Sequence, residues 1–93
     1  MKNYVKVKIN TIDNAKEFVK ICENFDEDIY YTVGRYSINA KSILGILSTT
    51  LGKIAEVKIY STDLKTIELF FDSINTWIVE GNIWKLDLVQ LVM

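Results

Sequence analysis

The residues best suited to chemistry in this chain lie in the stretch AKSILGIL, residues 40–47. Ser42 stands at the head of a short apolar run. A serine just before a helix caps it by accepting a hydrogen bond from a free backbone N–H. The same hydroxyl is a good phosphate acceptor, because free N–H groups and the positive end of the helix dipole stabilise the added charge. From the residues alone, cap and switch both stand open. Ile43, Leu47 and Leu51 define one face of the short helix, and Leu44 and Ile46 lie off it. One stripe does not hide them all, so part of this apolar surface is expected to meet a partner.

Other chemistries are poorly served. Histidine is absent, which removes an imidazole base, a histidine metal ligand and a phosphohistidine together. No metal or cofactor is expected. Gly34, Gly45, Gly52 and Gly81 are isolated, so no phosphate-cradling loop is spelled. Asp26, Glu27 and Asp28 read as a solvated loop. Cys22, the single cysteine, falls on the apolar side of a helix and reads as a small buried hydrophobe in a reducing compartment. The net charge of −1, the pI near 5.3 and the scattered lysines argue against a nucleic-acid partner. Neither a secretory leader nor a membrane-spanning stretch is visible, so the cytoplasm is the expected compartment.

The elements that must position Ser42 follow from periodicity. The chain has 93 residues, 49% hydrophobic and 25% charged, an ordinary balance for one domain. Tyr4, Val5, Val7 and Ile9 interleave with Lys6 and Lys8 as a strand with one wet face. Asn10 and Thr11 are caps for a helix whose apolar side carries Ile12, Ala15, Val19 and Cys22, with Phe18 and Ile21 beside them. DIYYTV (28–33) and YSINA (36–40) read as a hairpin around Gly34-Arg35. Tyr30 and Tyr31 point to opposite faces of their strand. The short helix runs from Ser42 to about Leu51 and stops near Gly52. Ile54 to Tyr60 gives a fourth strand. Ser61, Thr62 and Asp63 offer caps for a last helix with Leu64, Ile67, Phe70, Phe71, Ile74, Trp77 and Ile78 at helical spacing. The order is β-α-β-β-α-β-α, one antiparallel or mixed sheet with helices on one face. Residues 1–80 form the domain. The tail GNIWKLDLVQLVM, residues 81–93, suits an added edge strand, packing on the domain, or contact with another copy.

The segment SINAKSILGILST, residues 37–49, resembles the region around the regulatory serine of the HPr family, the histidine-containing phosphocarriers of the bacterial sugar phosphotransferase system. The resemblance covers about residues 2–79. It implies an α+β fold, an open-faced β-sandwich of four antiparallel strands with three helices on one face. It also implies that Ser42 is the serine phosphorylated by an ATP-dependent HPr kinase. Lys41, Ile43, Leu44 and Leu47 match the surface on which the family's partners dock.

The family's phosphoryl-accepting histidine opens the first helix in a Gly-Ile-His-Ala-Arg-Pro-Ala pattern. The matching stretch here is INTIDNA, residues 9–15, which puts Thr11 at the histidine position and Asp13 at the arginine position. Phosphohistidine has a labile P–N bond and passes its phosphoryl group on, whereas a threonine phosphate is a stable ester. Asp13 also removes positive charge from the site. The chain therefore resembles the family's regulatory paralogues, which lack the histidine and keep the serine. The expectation is a non-enzymatic regulatory protein whose partners are HPr kinase and a transcription regulator or another protein. The alternative is a constitutive interaction or assembly module that uses the short-helix patch and self-associates through the tail.

Overall fold

The computed structural model describes residues 3–49 and 51–80. In chain order the elements are β1 (Tyr4–Lys8), α1 (Ile12–Glu23), β2 (Ile29–Val33), β3 (Tyr36–Asn39), α2 (Ile43–Thr49), β4 (Ile54–Ile59), α3 (Leu64–Ser73), a 3₁₀ turn (Asn75–Trp77) and β5 (Ile78–Glu80). The strands form one antiparallel sheet in the order β3-β2-β4-β1-β5.

Alternation fixes the register. Tyr31 of β2, Val57 of β4 and Val5 of β1 lie side by side, and all three are buried. Ile29 beside Ile59 and Val7 beside Ala55 extend this inward face. A slip of one residue would turn every one of these side chains to the solvent. The next residues along each strand, Tyr30, Lys58 and Tyr4, form a row on the other face. Tyr31 is fully buried and Tyr30 is 37% exposed, as opposite faces require. The β2–β3 hairpin turns on Gly34 at φ 57°, the conformation that a two-residue turn with glycine first needs.

The helices cover the inward face. Ala15, Phe18, Val19 and Cys22 of α1 are buried at helical spacing. Ile12 shares their phase but is 52% exposed, because it opens the helix where no described element covers it. Phe18 meets Tyr31 and Trp77 edge-on at 5.6 and 5.8 Å. Phe25, just past α1, meets Phe70 of α3 at 5.2 Å. Full burial of each such ring contributes about 1.5–3 kcal/mol. Asp63 caps α3, accepting bonds from the Lys65 N–H (3.2 Å) and the Thr66 hydroxyl (2.7 Å). These bonds, the hydroxyl's first, hold its carboxyl below the usual aspartate range.

The fold is the expected α+β arrangement of an open antiparallel sheet with three helices, with one difference. The sheet has five strands, not four. Helical spacing carries through Ile74, Trp77 and Ile78, but α3 ends at Ser73. Ile78–Glu80 then lies along β1, with Ile78 opposite Val7 and Glu80 opposite Lys6. Among the described residues no helix is long and apolar enough to cross a membrane. The expectations for residues 81–93 lie outside the described residues.

Candidate functional site

Ser42 occupies the position immediately before α2. Its Oγ accepts a hydrogen bond from the Gly45 N–H at 3.3 Å, and its carbonyl accepts the first helical bond, from Ile46 N–H at 3.1 Å. The approach to Ser42 is held by Asn39. The Asn39 side-chain oxygen accepts from Lys41 N–H at 2.9 Å, and its carbonyl accepts from Ser42 N–H at 2.9 Å. Asn39 thus turns the chain out of β3 and sets the angle at which α2 starts.

Around Ser42 the four residues assigned to docking separate into three roles. Leu44 is 78% exposed and projects from the first turn of α2. Ile43 and Leu47 are half-buried against the core, and Ile46 between them is fully buried. The inward stripe of α2 therefore centres on Ile46, and Leu44 is the apolar side chain it leaves outside. Lys41 is held within the molecule. Its Nζ donates to the Phe25 carbonyl at 2.6 Å, so α2's start is tied to the end of α1. Sequence spacing gave no signal for this contact between residues 16 apart. Lys41 also lies near Cys22. Burial pushes the Cys22 thiol up to about 12, with Lys41 acting against that shift.

Thr11 caps α1. Its Oγ1 accepts from the Asn14 N–H at 3.1 Å, and the residue is exposed. Asp13 is exposed in the first turn of α1. Lys8, Asn10, Asn14 and Glu17 line a cleft of about 460 Å³ next to this cap, reaching Thr76 and Trp77.

Two contacts relate Thr11 to Ser42. Gly52, after α2, donates its N–H to the Ile9 carbonyl at 2.8 Å, just ahead of Thr11. Lys41, before α2, reaches Phe25 at the far end of α1. The two helices therefore run antiparallel, and Ser42 and Thr11 mark opposite ends of the surface they form. The seven residues of α2 span about 10 Å between those ends. Among the described residues, no group of three or more His, Cys, Asp or Glu side chains is placed to hold a metal ion.

Comparison with known proteins places the fold. No curated protein matches the chain. The chain is similar to the crystal structure of HPr-C-His from Thermoanaerobacter tengcongensis, with TM-score 0.60 and 25% identity over 75% of this chain and 85% of that one. The phosphocarrier protein HPr from Bacillus anthracis str. Ames shares the fold, with TM-score 0.57 and 23% identity over 75% of this chain and 93% of that one. The family model described as "PTS HPr component phosphorylation site" matches residues 12–69, a span that begins just after Thr11 and includes Ser42. With more than half of its length matched, this chain belongs to the HPr family of the phosphotransferase system.

Proposed function

We propose that this protein is a regulatory, non-enzymatic member of the HPr family, phosphorylated on Ser42 and not competent for histidine phosphotransfer. The observation that carries the reading is a pairing: the chain has no histidine, and it keeps a serine at the head of α2 beside an exposed leucine. The position that relays phosphate in the family holds Thr11, whose hydroxyl is engaged as a cap. Asp13 adds negative charge where the relay needs positive charge.

In this reading the chain is the substrate of an ATP-dependent HPr kinase. The Ser42 oxygen attacks the γ-phosphoryl group, an O–P ester forms, ADP leaves, and the hydroxyl proton passes to a base of the kinase. The phosphate then lies beside Leu44, and the charge and the apolar group together recognise a transcription regulator or another protein partner. The compartment this implies is the cytoplasm. Incubation with a cognate HPr kinase and ATP is expected to add one phosphate, mapped to Ser42 and lost in Ser42→Ala. An unmodified chain would remove the switch and leave the fold.

The exposure of Leu44 favours a second reading, a constitutive interaction module that docks through the α2 patch and the tail without phosphorylation. Sedimentation of the full chain separates the two. Leu44-dependent association of unphosphorylated protein supports the module, and a monomer unaffected by Leu44→Gln supports the switch.

A further inference from the structure

The cleft beside the α1 cap shares no residue with the surface around Ser42. It lies between the end of β1, one side of α1 and the 3₁₀ turn that follows α3. Its volume of about 460 Å³ falls toward the lower end of the range for small-molecule sites, about 300–1,000 Å³. Lys8, Asn10, Asn14 and Glu17 form its polar wall. Half-buried Ile21 and buried Trp77 supply an apolar patch in the same cleft.

The polar wall is not used up by the fold. Thr11, not Asn10, caps α1, so the Asn10 amide is left to the cleft. Lys8 and Glu17 carry opposite charges on one cleft, yet among the described residues they form no ion pair with each other. The four residues follow the chain in the order ammonium, amide, amide, carboxylate. Asn14 and Glu17 are three residues apart on α1, so they share a helix face about 4.5 Å apart along its axis. This arrangement narrows the ligand. Glu17 opposes a simple anion, and a lone carboxylate beside an ammonium group makes no cation site. A wholly apolar ligand would leave the polar wall without partners.

We propose that this cleft binds a short zwitterionic peptide of dipeptide size. The ligand's ammonium group meets Glu17, its carboxylate meets Lys8, and its peptide group pairs with the amides of Asn10 and Asn14. The order of groups matches, because a dipeptide carries a charge at each end and an amide between. A side-chain amide both donates and accepts, as a peptide group does. Two extended residues span about 7 Å, so the ligand reaches charges that do not reach each other. Its small side chains lie against Ile21 and Trp77. Binding here requires neither a kinase nor a phosphate, so it stands or falls apart from the reading of Ser42.

Titration of the isotope-labelled full chain with L-alanyl-L-alanine, followed by amide chemical shifts, tests this. Saturable shifts are expected at Asn14, Glu17 and the Trp77 indole, with Leu44 on α2 unmoved. Acetylating the dipeptide's ammonium group, or amidating its carboxyl group, is expected to weaken binding by about tenfold or more, since each removes one charged partner. Glu17→Gln and Lys8→Met are expected to weaken it as much from the protein side. The resonances of buried Tyr31 and Val57 report that the variants stay folded. Should a variant unfold, the blocked dipeptides on the natural chain decide instead. Absence of saturable shifts with the free dipeptide overturns the proposal. Blocked dipeptides that bind as tightly as the free one overturn it too, as does free L-alanine binding equally well, because it does not span both charges.

Discussion

Lys41 shows how one residue serves the fold and the surface at once. Its four-carbon stem is half-buried, and its ammonium group closes on the Phe25 carbonyl. Hydrogen bonds to charged groups contribute about 1.5–3 kcal/mol. Lys41→Met keeps the stem and leaves the carbonyl without this donor, so denaturant unfolding is expected to show a loss of about 1–2 kcal/mol. A purely surface lysine would leave stability unchanged. Cys22 makes the opposite case, a reactive group silenced by its surroundings. Burial raises its thiol pKa to about 12 in the folded state, well above the value near 8.5 of an unfolded chain. The folded state therefore holds the proton more tightly. The contribution is fully present below about pH 8.5 and is lost as pH rises toward 12, because the unfolded thiol ionises first. A thiol reagent at pH 8 is expected to label native protein far more slowly than unfolded protein. Equal rates would show that the thiol is open to solvent.

At the scale of elements, α2 is placed by a close approach. A Cβ built on Gly45 would lie 2.5 Å from Ile38 Cγ2 of β3. The β-branched Ile38 side chain has little rotamer freedom with which to yield. Alanine is intrinsically about 1 kcal/mol better than glycine in a helix, but overpacking costs about 1–3 kcal/mol. Gly45→Ala is therefore expected to destabilise the protein by about 1 kcal/mol. Adding Ile38→Ala, which opens the space, is expected to recover part of that loss in a double-mutant cycle. If Gly45→Ala stabilises the protein instead, α2 does not pack on β3 as described. The same scale shows what the sequence made legible. β1, β4 and α1 are half-buried elements whose alternation or helical stripe sorts residues by face. The cap at Ser42 was readable, and those at Thr11 and Asp63 were narrowed to two and three adjacent candidates, because each is a short-range bond within three residues. β5 was hidden because Ile74, Trp77 and Ile78 keep helical phase across the break after Ser73. The position of Ile46 on the inward stripe, and the grip of Lys41 on Phe25, depend on where α2 sits against α1 and β3. That is tertiary information which spacing along the chain does not carry.

For the whole molecule, the layered arrangement separates two surfaces. The helix layer presents Ser42, Leu44 and Thr11 along α1 and α2, and the opposite face of the sheet presents Tyr30, Lys58 and Tyr60. The first surface carries the proposed phosphorylation site, and the chain has no histidine. Under the proposed reading, a chain with Thr11 and Asp13 where the family relays phosphate retains the scaffold and the serine but has no histidine to hold the phosphoryl group. Phosphate chemistry distinguishes the two fates, since a serine ester survives acid and a phosphoramidate or acyl phosphate does not survive equivalent treatment. The most direct measurement is therefore phosphopeptide mapping of the full chain after parallel exposure to HPr kinase with ATP and to the first enzyme of the phosphotransferase system with phosphoenolpyruvate. The expected result is a single acid-stable phosphate on Ser42 from the first reaction and no label from the second. Labile label from phosphoenolpyruvate, or a Ser42 that stays unmodified with the kinase, would contradict the account.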